Sequence, residues 1–211
     1  MKKLGLFFGA FNPVHNGHLM MANYIVNNTD IDSVSLVVSP EVPFKEHKYL
    51  ASFRERITMI KLATLYSSRK IHESDVEYAL PEPHYTYNTL KEYERFAGKY
   101  YEIALIIGSD NLLGISDWKN AKEIIENYEI YVCPRNGIDC NSEIEKLKTK
   151  FNVKGIKVVD GIPECSISST FVREQVGNGK SILFYVPSEV EEYIIKHKLY
   201  GCGLWHPNIL N

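Results

Sequence analysis

Residues Leu4 to His18 read Leu-Gly-Leu-Phe-Phe-Gly-Ala-Phe-Asn-Pro-Val-His-Asn-Gly-His. An apolar run, Leu4 to Phe8, empties into a turn of small residues and then into two histidines three apart. Pro13 has no N–H to offer a sheet ladder, so a strand must end before it. Asn16 is the expected N-cap of the next helix, whose apolar stripe is Leu19, Ala22, Ile25 and Val26. Residues three apart share a helical face, so His15 and His18 point the same way. They do so beside the free N–H groups and positive dipole end of a helix, where phosphate binds well. Gly17 lets a ligand approach the backbone, because no side chain stands in the way.

Further along, Val34–Val38, Ile103–Ile107, Tyr128–Cys133 and Ile156–Val159 are also short and almost wholly apolar. Such runs are what strands buried on both faces look like. Helical patterns separate them, and Ser52-x-x-Glu55, Ser142-x-x-Glu145 and Ser188-x-x-Glu191 each match a capping box. This alternation predicts an α/β fold with a Rossmann-like doubly wound parallel sheet. Ligands of such sheets bind beyond the carboxyl ends of the strands. His15 and His18 fall at one such end, and Asp110, after Ile106-Ile107-Gly108-Ser109, falls at another. The Gly-x-Gly-x-x-Gly fingerprint is missing, which argues against a bound redox dinucleotide.

The 211 residues suit one domain with a large core. With 24 basic and 26 acidic residues, the net charge of −2 gives no electrostatic reason to expect nucleic acid or an acidic membrane as partner. Cys133, Cys140, Cys165 and Cys202 form no CxxC pair and read as reduced thiols. The two histidines alone would make only half a zinc site, and no cluster of further ligands stands out, so no bound metal is expected. Met1-Lys2-Lys3 before an apolar run imitates a signal peptide. The run breaks at Asn12-Pro13, no small-x-small cleavage site follows, and it is too short to span a bilayer. The expected location is cytoplasmic.

A second motif is Ile167-Ser168-Ser169-Thr170-Phe171-Val172-Arg173. Consecutive hydroxyls before a helix supply a cap and donors, and Arg173 sits one turn beyond Thr170 as a forked cation suited to phosphate. A plain helix cap with a solvated arginine would look the same. Gly9-x-Phe11-x-Pro13-x-His15-x-Gly17-His18 resembles the HxGH signature of the nucleotidylyltransferases, and Ile167 to Arg173 is similar to their Ile-Ser-Ser-Thr-x-x-Arg signature. Four middle segments narrow the resemblance to the bacterial nicotinate-nucleotide adenylyltransferases. They are Val42-Pro43-Phe44-Lys45, Tyr85-Thr86-Tyr87-Asn88-Thr89-Leu90, Ile106 to Asp110 with Trp118-Lys119, and Pro134-Arg135-Asn136-Gly137. The likeness runs from Leu4 to Tyr200, which implies one nucleotidylyltransferase-type domain over 1–200 and a tail over 201–211. Phe8, Ala10, Asn12, Val42 and Phe44 depart from the family's usual residues.

The resemblance implies transfer of AMP from ATP to nicotinate mononucleotide, giving deamido-NAD and pyrophosphate, with Mg²⁺ arriving with ATP. His15, His18, Lys45 and Arg173 would be catalytic. ATP would meet Gly9, Ala10, Phe11, His15, Gly17, His18, Gly108, Asp110, Ile167, Ser168, Ser169, Thr170 and Arg173. Nicotinate mononucleotide would meet Lys45, Tyr85, Thr86, Thr89, Asp110, Trp118, Lys119 and Arg135. Two other readings stay open at this point: the same chemistry with nicotinamide mononucleotide, phosphopantetheine or a cytidylyl donor, and a nucleotide-binding sensor without turnover. Assembly into a homo-oligomer is also open.

Overall fold

The computed structural model describes residues 1–40, 50–67, 70–135 and 137–202. β1 (Lys2–Gly9) leads through the histidine turn into α1 (Asn16–Asn28), and β2 (Ser33–Val38) follows. Next come α2 (Phe53–Ala63), β3 (Ile71–Ser74), α3 (Thr86–Ala97) and β4 (Tyr101–Gly108). The short α4 (Ser109–Leu112) and α5 (Ala121–Asn127) precede β5 (Glu129–Cys133), α6 (Cys140–Lys150) and β6 (Gly155–Val158). α7 (Ser169–Gly177) and α8 (Ser188–Lys196) end the helical part. The sheet runs β3-β2-β1-β4-β5-β6 with every pairing parallel. That is the doubly wound order, which changes direction between β1 and β4.

Both faces of the sheet are covered, as the apolar runs require. Side chains alternate along a strand. Phe7, Leu36, Ile106 and Tyr131 therefore pack with Ile25, Ile60 and Val190 on one face. Leu6, Val37, Leu105 and Val132 pack with Leu90, Ile124 and Leu147 on the other. No helix among the described residues is long and apolar enough to cross a membrane.

The structure corrects several local expectations. β3, Ile71-His72-Glu73-Ser74, carries too little apolar signal to announce itself and exists by pairing with β2. The N-cap of α1 is His15, and Asn16 is its first helical residue. Asp139 caps α6, accepting from Ser142 N–H at 3.2 Å, so Ser142 lies inside the helix. Pro187 takes the cap position of α8, and Ser188 instead donates to Glu189 at 3.0 Å. Only the Ser52 box forms as expected: Ser52 N–H donates to Glu55 at 2.7 Å, and Glu55 N–H to Ser52 Oγ at 3.3 Å.

At the amino ends of the strands, Lys3 is a buried member of β1. Its ammonium donates to Asp30 at 2.6 Å, to Glu129, and to the Tyr131 hydroxyl at 3.3 Å. Lys157 from β6 joins Asp30 at 3.0 Å and Glu129 at 3.2 Å. A lysine so buried needs carboxylates around it. Partial burial works against the Asp30 charge, but Lys3, Tyr131 and Lys157 hold its carboxyl well below the usual range. A carboxyl whose folded pKa is depressed stabilises the fold above its unfolded pKa, and that support is lost as pH falls through the folded value. Asp30→Asn should therefore be less stable than the parent at pH 6 and lose less further stability on acidification. Urea titrations at pH 6, 4 and 3 read this directly; parallel pH dependences for the two proteins would remove Asp30 from the acid response.

Candidate active site

The turn from Gly9 to His15 stands at the carboxyl end of β1, beside the point where strand order reverses. Phe11 holds φ at 44°, a left-handed conformation uncommon for an aromatic residue. Its ring is buried beneath the turn, edge-on to Phe7 at 6.0 Å and to His18 at 4.9 Å between centroids. Arg56 of α2, almost fully buried, pins the same turn from below. One of its nitrogens donates to Ala10 O and Ser39 O, both at 2.8 Å; others reach Pro40 O at 3.0 Å and Ala51 O at 3.1 Å. Arg56 belongs to no motif in the sequence, although a charged residue on the stripe shared with Ile60 and Ala63 is a signal of this kind.

His15 and His18 stack with ring centroids 3.6 Å apart, and His18 lines the adjoining cleft. His18 Nδ1 accepts from His15 N–H at 3.3 Å, which leaves Nε2 to carry the proton of the neutral ring. Among the described residues, His15 Nδ1 is buried without a hydrogen-bond partner. Burial, and then the charge of Arg135, lower the His15 pKa to about 4, so the ring is neutral at pH 7. Gly17 sits against protein atoms on its Cβ side. A Cβ there would lie 3.0 Å from both Cys165 Sγ and His15 Nδ1, so protein atoms fill that direction.

The second motif docks onto the first. Ser168 caps α7, accepting from Phe171 N–H at 3.1 Å. Ser169 Oγ donates to Pro13 O at 2.9 Å. Arg173 donates to Asn12 O at 2.8 Å and to Thr170 Oγ1 at 3.2 Å. Two segments at opposite ends of the chain thus meet on two consecutive carbonyls. Ile167 packs against the core, with its side chain partly buried.

The cleft beside the histidines encloses about 730 Å³, within the ordinary range for a small-molecule site. Gly9, His18, Tyr85, Thr86, Gly108, Asp110, Trp118 and Arg135 line it, as do Phe8, Ser39, His84 and Asn111, which the sequence reading had not proposed. A Cβ at Gly108 would fall 2.3 Å from Asp110 Oδ1, so a larger residue there would push the Asp110 carboxylate out of its present place. Ser109 Oγ fixes the Arg135 backbone, donating to its carbonyl at 3.1 Å and accepting from its N–H at 2.9 Å. Thr89 is absent from the lining. It is fully buried, and its hydroxyl donates to the buried Glu77 at 2.8 Å, which ties α3 to the Val76–Ala79 turn. Burial pushes the Glu77 carboxyl up. Lys119 is exposed and also outside the lining, and Lys45 lies outside the described residues. Among the described residues, no three His, Cys, Asp or Glu side chains cluster closely enough to hold a metal ion.

The sequence profile of the family described as cytidylyltransferase-like matches residues 6–175. A Flavobacterium johnsoniae protein named "Probable nicotinate-nucleotide adenylyltransferase" is 40% identical over 200 residues, covering 94% of this chain and 98% of its own. A Caldicellulosiruptor saccharolyticus protein of the same name is 38% identical, with the same coverage. Among solved structures, Plasmodium falciparum nicotinic acid mononucleotide adenylyltransferase complexed with NaAD superposes with a TM-score of 0.74 at 24% identity, over 97% of this chain and all of that one. At that identity the match speaks for the fold.

The buried state of His15 sets a measurable expectation. In the ligand-free protein its imidazole should titrate near pH 4, well below the ordinary histidine value. Because the folded pKa is depressed, acidification below the unfolded value of about 6.5 progressively favours the unfolded chain until His15 itself protonates. NMR titration of the ring resonances, assigned with a His15→Gln variant, checks this. A midpoint at 6 or above would mean that the ring is solvated.

Proposed function

We infer the activity from a plain premise: the chain belongs to the cytidylyltransferase-like family and, within it, to the nicotinate-nucleotide adenylyltransferases. It transfers AMP from ATP to nicotinate mononucleotide, giving deamido-NAD and pyrophosphate. The observation that carries this reading is the meeting of the stacked His15–His18 pair and the Ser168–Arg173 helix start at one turn beside a cleft of nucleotide size.

The chemistry asks little covalent work of the protein. A phosphate oxygen of nicotinate mononucleotide attacks the α-phosphorus of ATP in line, a P–O bond forms, and the bond to the β-phosphate breaks with pyrophosphate leaving. Positioning and charge stabilisation supply the acceleration. In our assignment the Nε2–H of His18 donates to the phosphates, and His15 backs that ring and takes up charge as the phosphates approach. Backbone N–H groups around Gly9 to Phe11 hold phosphate oxygens, whereas at the start of α1 the N–H groups of Asn16 and His18 already donate to Tyr185 O at 2.8 Å and His15 O at 2.9 Å. Thr170 and Arg173 grip the departing pyrophosphate, with Lys45 as a further cation. Mg²⁺ comes with ATP as part of the substrate. Asp110 accepts from a ribose. We place the reaction in the cytoplasm.

For the pyridine end, Tyr85, Thr86, Trp118 and Arg135 border one part of the cleft. Tyr85 occupies the N-cap of α3 without a capping side chain, and the first turn of α3 holds no acidic residue. A helix start of that kind, with Arg135 nearby, favours a carboxylate over a neutral amide. The phenol and indole rings cover a flat ring.

Pyrophosphate release from ATP and Mg²⁺ with each acceptor in turn tests the assignment. Nicotinate mononucleotide should be used with kcat/KM at least ~10-fold above nicotinamide mononucleotide, an effect that one unsatisfied buried donor supplies. Equal efficiency, or a preference for the amide, would take the nicotinate assignment away while leaving adenylyl transfer intact. In the same assay His18→Ala should lower kcat by roughly 10²–10³, as for loss of one preorganised transition-state donor. Near-normal turnover would remove His18 from the mechanism.

A further inference from the structure

Asn12 lies in the middle of the phosphate turn, yet its side-chain oxygen is engaged inside the protein. Oδ1 accepts from Ala51 N–H at 3.0 Å, just before α2, and from the Tyr200 hydroxyl at 2.8 Å. Both bonds are buried, and Asn12 itself is 3% exposed. One oxygen therefore joins the turn, the approach to α2 and the last described segment of the chain.

Tyr200 is unusual in its own right. It is 6% exposed and holds φ at 57° within the Leu199–Gly201 turn. A tyrosine keeps such a backbone only where its surroundings over-determine it. Its turn packs on α7, where Gly177 lies close enough to meet the Tyr200 carbonyl at 3.5 Å from a notional Cβ. α7 is also the helix that carries Arg173, and Arg173 donates to the main-chain oxygen of the same Asn12 at 2.8 Å. Tyr200 thus holds Asn12 directly and packs, at Gly177, on the helix that carries Arg173.

We propose that Tyr200 is a positioning residue for the triphosphate: its hydroxyl fixes Asn12, the Asn12 carbonyl fixes the Arg173 guanidinium, and that guanidinium is thereby aimed at the departing phosphates. The inference rests on the reading of Arg173 as a phosphate ligand. It predicts an effect confined to the nucleotide. A hydroxyl that merely stabilised the fold would weaken both substrates together.

Tyr200→Phe removes the donor and keeps the ring. KM for ATP, and the Kd for a non-hydrolysable ATP analogue measured by calorimetry, should each rise by about five-fold or more, the effect of about one net buried hydrogen bond. KM for nicotinate mononucleotide should stay within about two-fold, a smaller change than one such bond produces. If Tyr200→Phe fails to fold, the acceptor side decides: Asn12→Asp keeps the accepting oxygen and should bind the analogue at least about five-fold tighter than Asn12→Leu, which lacks it. Unchanged analogue binding in Tyr200→Phe, equal losses for both substrates, or equal binding by the two Asn12 variants would overturn the proposal. Absence of pyrophosphate release by the unsubstituted protein would count against the adenylyl-transfer reading instead, and the calorimetric comparison would still decide the role of Tyr200.

Discussion

One buried cation organises the mouth of this fold. Arg56 lies almost wholly out of solvent, and its contacts with Ala10, Ser39, Pro40 and Ala51 are all with main-chain carbonyls. Burial pushes its pKa down from the ordinary arginine value, yet a guanidinium stays charged far above neutral pH. A buried charge is tolerated only when its donors are satisfied, and the forked donor set of arginine reaches several acceptors at once. Three of those carbonyls, of Ala10, Ser39 and Pro40, belong to chain leaving β1 and β2, where the ladder no longer engages every backbone group. Those two exits frame the cleft, so α2 sets the spacing of a site to which it adds no lining residue.

Within that frame the electrostatics favour an arriving anion. His15 is held neutral by burial and by Arg135, beside a helix start whose partial charge is positive. Arg173 and the hydroxyls of α7 approach the same turn from the other side. A neutral imidazole leaves no unpaired buried cation beside that helix start. The opposite end of the sheet is handled differently, with the Lys3 ammonium enclosed by Asp30, Glu129 and Tyr131 as a closed ion cluster. One end of the β1–β4 seam is therefore saturated internally, and the other is left with donors facing a cleft.

The departures from the usual motif take on separate meanings once placed. The oxygen of Asn12 is directed to Ala51 and Tyr200, so the departure at this position touches an internal joint rather than the cleft wall. Phe8 lines the cleft beside Gly9. Ala10 contributes its carbonyl to Arg56, a role open to any side chain. Val42 and Phe44 lie outside the described residues.

What the chain alone determined follows from local rules. Apolar runs flanked by turn residues made the strands around the switch point legible, and the strand–turn–helix grammar placed His15 with His18, and Ser168 with Arg173, at helix starts. Those features depend on periodicity and capping, which act over a few residues. Tertiary structure decided everything that needs two distant segments at once. β3 is a strand because β2 offers it a ladder, and Thr89 faces Glu77 rather than a ligand because the Val76–Ala79 turn packs against α3. Cys165 and His15 crowd the Cβ side of Gly17, and Arg56 and Tyr200 matter through carbonyls and amides whose positions no side-chain pattern encodes. Hydrogen bonds to main-chain atoms leave little trace in residue identity, because every residue carries the same acceptor.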